Sequence, residues 1–468
     1  MNTIEQAVAD FSNWIWGIPL LILLIGGGLF FIIHSRFAPF FYVRHAIDVL
    51  RGKYHEEDKE GEISHYEALS TAIAATVGMG NISGVAVAIT AGGPGAIFWM
   101  WVSAFFGIAT KFYTCTLAQM YRGRDSEGKL LGGPMYVITE GMGQKWKPMA
   151  TFFCIVGLVG ALPIFQANQL TAALNTILGP SIGYDTTSGF DFMGADIKYS
   201  SLITGLVLTV LVSTVIFGGI KKIGKVASKL VPSMVLMYFV LVSIILFMNA
   251  SAIPGIFGSI ISEAFTGNAI LGGGLGAIVI QGVRRAAFSN EAGIGTAPMV
   301  HGDSKTDEPV REGLVAMLGP AIDTLIVCTL TALVILSTGV YEPYLGESVE
   351  GIPLTLAAFN QALPGIGGYL LGLAILIFAT STLLSYSYYG VKCMGFMLGA
   401  KNGKLYNYIY IGTIVLGAVA SLDFVFTLID SSFALMAIPT MVSALWLAPK
   451  ALEASKDYFA RYKRGDFN

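Results

Sequence analysis

The sequence predicts an all-α, polytopic membrane protein with eleven transmembrane helices. Hydrophobic residues make up 54% of its 468 positions and charged residues only 12%, about half the charged share of an ordinary globular protein. Apolar stretches long enough to cross a bilayer, roughly 20 residues each, recur along the whole chain. The net charge of −2, with no basic cluster interleaved with aromatic residues, argues against nucleic-acid binding.

The candidate spans, taken in order from these apolar stretches, cover residues 13–34, 67–91, 95–121, 149–178, 200–219, 226–249, 268–290, 310–339, 366–390, 404–421 and 424–449. The first follows Met1 to Ser12, which carries neither lysine nor arginine, and no small-residue cleavage site comes after it. We therefore expect a retained span and not a signal peptide.

The basic residues predict the orientation, because cytoplasmic connections retain lysine and arginine. With the N-terminus outside, every lysine and arginine except Lys111 and Lys198 falls in an inward connection or in the tail after the last span. Arg284 and Arg285 are counted among the inward residues. The sequence thus predicts an outside N-terminus and a cytoplasmic C-terminus.

Spans two to eleven divide into two sets of five, which predicts an inverted repeat. In each set the second and third spans are joined by a link with a short amphipathic stretch, Gly132 to Gly141 and Gly351 to Pro364. Chance recurrence of such loop helices is the alternative. The predicted segments are an N-terminal helix and linker at 1–66, the first repeat at 67–249, the second repeat at 250–449 and a tail at 450–468.

Two glycine-rich stretches predict helix breaks in the first span of each repeat, Ala74 to Gly84 and Leu271 to Gly282. Interrupted helices expose backbone groups that lipid cannot satisfy, so they are tolerated where they line a site. Free amides suit a carboxylate, and free carbonyls suit a monovalent cation or an ammonium group. For the second stretch, close helix packing through glycine is an equal alternative.

Several kinds of chemistry are disfavoured. The four cysteines stand alone in apolar stretches, without metal-binding spacing, and the histidines lie at the ends of apolar runs or in the polar stretches between them. Disulfides, structural zinc and haem are therefore not expected. The chain has no phosphate-binding loop and no intramembrane cluster of catalytic acids and histidines, so neither ATP-driven transport nor an enzyme is expected.

Five motifs resemble those of the alanine or glycine:cation symporter family, whose members import small neutral amino acids with sodium. They are Ala75 to Ala86, Gly92 to Trp101, Gly132 to Tyr136, Phe288 to Gly293 and Tyr386 to Gly390. The resemblance implies a LeuT-like architecture, with ten core helices in a 5+5 inverted repeat and one extra N-terminal helix. It also implies Na⁺ as the coupling ion and a multi-pass protein of the bacterial or archaeal inner membrane.

The resemblance also implies a substrate site. Its candidate residues are Ala75, Thr76, Met79, Gly80, Gln166, Gln281 and Gly282. The first four would bind mainly through the backbone of the first break, and Met79 would also form part of the pocket wall. At position 281 the chain departs from relatives that carry a bulky aromatic residue, and both glutamines could instead form interhelical hydrogen bonds.

For sodium, the resemblance implies the carbonyls of Ala74 and Val77 with the hydroxyls of Ser381 and Thr382. A second ion would use Thr76 and Asn81. Uncharged oxygen ligands suit a monovalent ion that must be released again. The alternative is that the two hydroxyls bond only to carbonyls one turn back in their own helix.

Lys111 and Asp323 are charged residues within apolar spans, each about 15 Å from the predicted inner surface. We expect them to approach and neutralise each other. The alternatives are that Lys111 extends to the cytosol or that Asp323 is a proton or cation site. Arg284, Arg285 and Glu291 would form a cytoplasmic gate or a simple positive-inside anchor.

The function predicted from these features is import of alanine, glycine or a similarly small amino acid with sodium, by alternating access. Its partners are then that amino acid and the surrounding membrane lipid. Proton-coupled transport or amino-acid exchange is one alternative, and a channel is a more remote one.

Overall fold

The computed structural model describes residues 10–54, 59–183, 185–192, 195–266, 274–347 and 351–467, and most of them are helical. The first half of the chain forms α1 (Ile18–His34), α2 (Val43–Leu50), α3 (His65–Thr76), α4 (Gly80–Gly92), α5 (Gly95–Met120), α6 (Pro134–Tyr136, continued by Val137–Met142), α7 (Lys147–Gly160), α8 (Ile164–Ile182), α9 (Tyr199–Ile216) and α10 (Gly219–Met248).

The second half forms α11 (Ile253–Thr266), α12 (Gly274–Asn290), α13 (Thr296–His301), α14 (Pro309–Thr338), α15 (Gly351–Ala362), α16 (Gly367–Leu398), α17 (Tyr406–Val419) and α18 (Leu422–Arg464). Short helical turns occur at Ala38–Phe41, Gln144–Trp146, Ala250–Ala252, Glu342–Tyr344 and Ala400–Gly403. Two antiparallel hairpins pair β1 (Gly123–Arg124) with β2 (Leu130–Leu131) and β3 (Gly189–Phe192) with β4 (Ala195–Lys198).

Within the described residues, seven helices are long and apolar enough to cross a membrane, and the bent pair α3–α4 raises the number to eight. The other three predicted spans coincide with the shorter helices α1, α12 and α17. A multi-pass, helical membrane protein is thus confirmed, while the count of eleven stays a prediction.

The helices differ in how much of their apolar surface other helices cover. Two thirds of the apolar window is buried in α5 and in α16, but only one third in α10. Phe247 in α10 is 85% exposed, as expected for a side chain that lipid covers. We call the end of the bundle where α18 ends the C-terminal face, and the end where α18 begins the opposite face.

The first predicted break is confirmed. Helix α3 begins with a capping box of Ser64 and Glu67, ends at Thr76, and meets α4 at a bend of 52°. The side-chain oxygen of Asn81 accepts a hydrogen bond from the amide of Gly78 at 2.8 Å. Asn81 thus satisfies a backbone donor that the interruption leaves without a helical partner.

The part of the second predicted break that the structure describes is helical. Gly276, Gln281 and Gly282 lie inside the continuous helix α12, while residues 271–273 lie outside the described residues. The chain breaks later, between α12 and α13, where Glu291, Gly293 and Gly295 all have positive φ.

Gly282 serves close packing, because a Cβ there would lie 2.5 Å from the Cβ of Trp99 in α5. This was the alternative explanation for the glycine-rich stretch. The break itself forms where glycine can adopt the left-handed conformation that an ordinary residue disfavours.

Both predicted link helices form, as α6 and α15, and each packs on a half-helix beside a break. The hydroxyl of Thr355 in α15 donates to the carbonyl of Ile82 in α4 at 3.2 Å. At the other break, a Cβ on Gly295 would lie 2.9 Å from the Pro134 ring in α6. Each link helix therefore lies against the broken span of the opposite half of the chain.

Candidate functional site

The break between α3 and α4 lies where three other helices meet. A Cβ on Gly80 would lie 3.5 Å from the Phe288 ring and from the Cα of Ser289, both in α12. A Cβ on Gly78 would collide with the hydroxyl of Thr382 in α16. Asn81 contacts Asp323 in α14. Only a hydrogen fits beside the Thr382 hydroxyl at Gly78, whereas a Cβ at Gly80 would make ordinary van der Waals contacts.

Hydroxyls of α16 reach the backbone of α3 at this point. Thr382 Oγ1 donates to the Ala74 carbonyl at 3.0 Å, and Ser381 Oγ lies 3.3 Å from the same oxygen. Both hydroxyls also contact the Phe378 carbonyl in their own helix, so each reaches the broken span and its own helix. Val77 is fully buried at the end of α3, with a non-helical ψ of 89°. The structure thus brings three of the four predicted sodium ligands into contact and places Val77 beside them.

A second cluster of oxygens surrounds the fully buried carboxylate of Asp323. It accepts hydrogen bonds from Asn81 Nδ2 at 2.8 Å, Ser289 Oγ at 2.7 Å and Thr324 Oγ1 at 2.8 Å. These donors come from α4, α12 and α14. The cluster ties the break to two neighbouring helices and places a buried acidic side chain beside it.

Thr76, predicted to share an ion with Asn81, has its hydroxyl 3.5 Å from the Ile73 carbonyl in its own helix. The structure shows no hydrogen bond from Thr76 to the Asp323 cluster. Ser289 was not among the predicted site residues. Its signal was the polar run Ser289, Asn290, Glu291 at the end of an apolar helix.

The expected approach of Lys111 to Asp323 does not produce an ion pair. Lys111 is buried, and its ammonium lies beside Gly319, where an added Cβ would be 3.2 Å from Nζ. Gly319 precedes Asp323 by about one turn of α14. Neutral donors occupy the Asp323 carboxylate instead, because Asn81 and Ser289 are held against it by the break.

The predicted substrate residues separate into two groups. Ala75, Met79 and Gly80 are buried at the first break together with Thr76. Gln166 in α8 is buried, and its Oε1 has no hydrogen-bond partner in the described part of the chain. It follows Phe165, whose ring packs edge-on against Phe288 at 5.1 Å. Gln166 therefore remains a candidate.

Gln281 and Gly282 lie away from the first break, and the structure does not bring them to the other candidate residues there. A Cβ built on Gly92 would lie 3.6 Å from the Cβ of Gln281, and Gly92 is about 18 Å along α4 from Gly80. Gly282 faces α5, as described above. Phe288 and Ser289, two turns further along α12, occupy the position expected for them.

The expected gate of Arg284, Arg285 and Glu291 does not form. Glu291 accepts hydrogen bonds from the hydroxyls of Tyr386 and Thr296, and so joins the second break to α16. The two arginines are buried inside α12 towards the opposite face, and not in an inward connection. They therefore do not belong to the count of inward basic residues.

Buried ion pairs cover the breaks on both faces. Towards the opposite face, Arg284 pairs with Asp430 of α18, and Arg284 Nη2 also donates to Ser12 Oγ at 2.7 Å. At the C-terminal face, Lys392 of α16 lies 2.6 Å from Asp303, which follows α13. Asp303 also accepts a hydrogen bond from Tyr388. These contacts join α12 to α18 towards one face, and the segment after α13 to α16 towards the other.

We expect Lys392→Met to destabilise the folded protein by about 3–5 kcal/mol, because it leaves the Asp303 carboxylate buried without its cation. The unfolding temperature of the detergent-solubilised protein measures the effect. The double variant Asp303→Asn/Lys392→Met should recover most of the loss, and the exposed Lys404→Met is the control. An unchanged unfolding temperature for Lys392→Met would contradict a structural role for the pair.

Known proteins resemble this chain over nearly its full length. The sodium:alanine symporter family matches residues 1–468. The sodium/alanine symporter AgcS of Methanococcus maripaludis is 38% identical over 96% of this chain and 95% of its own length. The probable sodium/glutamine symporter GlnT of Bacillus subtilis is 34% identical, over 99% of this chain and 92% of its own.

Among solved structures, that of MhsT in complex with L-phenylalanine superimposes with a TM-score of 0.62 at 16% identity. The match covers 85% of this chain and 93% of that chain, and it shows a LeuT-like fold. The matching family consists of transporters and not of enzymes. Because the match to that family extends over the entire sequence, the chain belongs to the sodium:alanine symporter family.

Proposed function

We propose that this sodium-coupled amino-acid symporter imports alanine or glycine by alternating access between two faces of the membrane. One observation carries the proposal. The interrupted backbone at residues 77–79 lies between the hydroxyls of α16 and the polar side chains around Asp323. Such a break supplies amides for a carboxylate and carbonyls for cations.

The first sodium ion binds to the carbonyls of Ala74 and Val77 and the hydroxyls of Ser381 and Thr382. The contact of both hydroxyls with the Ala74 carbonyl supports this set. Four uncharged oxygens bind a monovalent ion without holding it permanently. The ion also links the moving break to α16, so its release would loosen that contact.

The second sodium ion binds at Ser289 and Asp323, in place of the pairing of Asn81 with Thr76. Asn81 turns its amide nitrogen towards Asp323 and its oxygen towards the Gly78 amide, so it positions the site and is not a ligand. A buried, ionised carboxylate is costly unless a positive charge accompanies it. The structure pairs Asp323 with neutral donors only, and no ion pair joins it to Lys111. A bound sodium ion would supply the compensating charge.

The amino acid binds across the first break, with Ala75, Thr76, Met79 and Gly80 presenting backbone groups to its carboxylate and ammonium. Gln166 supplies a further acceptor. The close approach of Phe288 to Gly80 leaves little room beside the backbone, which favours a small side chain.

The membrane arrangement that we propose is eleven spans in the inner membrane, with the N-terminus outside and the C-terminal face in the cytoplasm. One extra helix, α1, precedes two inverted five-span repeats, at 67–249 and 250–449. The reciprocal packing of α15 on α4 and of α6 on α13 supports the repeat.

The substrate and the coupling ion can be tested in proteoliposomes. We expect labelled alanine to accumulate only with an inward sodium gradient, and unlabelled alanine and glycine to compete better than serine, glutamine or the D-amino acids. Accumulation without sodium, driven by a proton gradient or by exchange, would contradict sodium coupling. Uptake that does not saturate would indicate a channel.

For the first sodium site, we expect Thr382→Val to raise the sodium concentration at half-maximal uptake about tenfold, since it removes one oxygen ligand worth about 1 kcal/mol or more. Ser387→Ala is the matched control, because that hydroxyl lies in the same helix and donates to its own helix at Leu384. Equal sodium dependence of the Thr382→Val variant and the wild type would exclude Thr382 as a ligand.

A further inference from the structure

A groove of about 760 Å³ lies at the C-terminal face between the end of α1 and the last turns of α18. Its walls are firmly packed together. The Tyr42 ring stacks on Phe459 of α18 with centroids 3.8 Å apart, and His45 of α2 is 2.7 Å from the Tyr458 hydroxyl. Burial and the nearby Arg311 lower the pKa of His45 to about 4, so this contact is between neutral groups.

Three cationic side chains line the groove: Arg36, Lys456 and Lys463. Lys456 and Lys463 are seven residues apart, so they lie on one face of α18, and Arg36 approaches from the turn that follows α1. None of the three forms an ion pair with any residue that the structure describes.

Several other cations of α18 are paired with acids. Arg461 pairs with Glu308 and Asp457, Arg464 with Asp466, and Lys450 with Glu453. These four acids are therefore already paired with cations that do not line the groove. Three positive charges without ion pairs, lining one groove, attract an anion.

The surroundings of the groove are apolar. Phe41 lines it and is 76% exposed, and Phe37, in the same turn, is 47% exposed. Leu452 and Phe459 form the wall on α18. The groove lies where α1 leaves its apolar stretch at His34, the level at which lipid headgroups meet the hydrocarbon core.

We propose that this groove binds the phosphate headgroup of an anionic phospholipid from the leaflet at the C-terminal face. Arg36, Lys456 and Lys463 contact the headgroup, and the acyl chains lie along Phe37 and Phe41. Basic pockets between membrane helices recognise anionic lipids by this combination of charge and apolar surface. The lipid then joins the extra helix α1 to the final helix α18.

The test compares the wild type with Arg36→Gln/Lys456→Gln/Lys463→Gln in nanodiscs and by native mass spectrometry. Phosphatidylglycerol is the probe, phosphatidylcholine the neutral reference and inorganic phosphate the soluble anion. Each cation near a membrane surface strengthens anionic-lipid binding several-fold, so the triple variant should bind phosphatidylglycerol at least about tenfold more weakly. Lys145→Gln/Lys225→Gln/Lys229→Gln removes the same charge elsewhere and should bind like the wild type.

A thermal shift provides a second readout that does not require the variant to transport. Phosphatidylglycerol should raise the unfolding temperature of the wild type more than phosphatidylcholine does, and the groove variant should lose this difference. Equal phosphatidylglycerol binding by the wild type and the groove variant would overturn the proposal. Equal stabilisation by inorganic phosphate and phosphatidylglycerol would overturn it as well, since the site would then take a soluble anion.

Discussion

Asp323→Asn is expected to raise the sodium concentration at half-maximal uptake about 10- to 100-fold, because hydrogen bonds and ligands of a charged group contribute about 1.5–3 kcal/mol. The substitution keeps the size of the side chain and its capacity to bond with Ser289 and Asn81, but it removes the negative charge that we assign to the second ion. Sodium-dependent uptake of labelled alanine in proteoliposomes measures the change.

Glu263→Gln is a suitable control, because Glu263 is an acid in the apolar helix α11. It should leave the sodium dependence unchanged. If Asp323→Asn keeps the sodium dependence of the wild type but loses its pH dependence, Asp323 is a proton site and our second sodium site is wrong. If adding Lys111→Met to the Asp323→Asn variant restores the wild-type sodium dependence of uptake, the two buried charges balance each other at a distance.

Gly78→Ala is expected to reduce uptake to less than about a tenth of the wild-type rate. The new methyl group would collide with Thr382 Oγ1, which also contacts the Ala74 carbonyl. Overpacking at such a contact costs about 1–3 kcal/mol, and relief requires α16 to move away from the break. The first sodium site would then lose its geometry even if the fold persists, so expression and unfolding temperature are measured beside transport.

Gly84→Ala is the matched control. Gly84 lies in the same broken span, but a Cβ there meets no atom within 4 Å, so the variant should transport like the wild type. Wild-type sodium dependence in Gly78→Ala would show that the contact between the break and α16 does not hold the ion.

Local chemistry explains why the first break could be predicted from the sequence. Val77, Gly78 and Met79 interrupt a helix, and Asn81 lies within reach of the orphaned Gly78 amide. Each of these features lies within a few residues of the others, so it is visible in the order of residues. The matching hydroxyls of Ser381 and Thr382 came from the resemblance to a family, since nothing local connects positions about 300 apart.

The glycines in and after α12 show what the order of residues does not reveal. In the sequence, nothing distinguishes the glycines at 276 and 282 from those at 293 and 295. In the structure they have different roles. Gly282 allows α12 to approach Trp99 in α5, whereas Gly293 and Gly295 adopt positive φ. Whether a glycine allows close helix packing or a positive φ depends on the neighbouring helix and on the path of the backbone.

The partners of the buried charges also depend on how the helices pack. Their places in apolar stretches made Lys111 and Asp323 conspicuous, and equivalent positions in two repeats suggested a pair. Three neutral donors from α4, α12 and α14 surround Asp323 instead, while Arg284 finds Asp430 in α18. A partner is selected by which side chains the packed helices bring within about 3 Å.

The sequence by itself determined that this protein is a helical membrane protein, because apolar spans and a broken helix are set by composition and by residues close together in the chain. Only the tertiary structure decided which glycines break a helix, which donors reach Asp323 and which cations stay uncompensated at the groove. Those outcomes depend on distances between helices that are far apart in the sequence. A shift of a few ångströms between two such helices makes or breaks a contact.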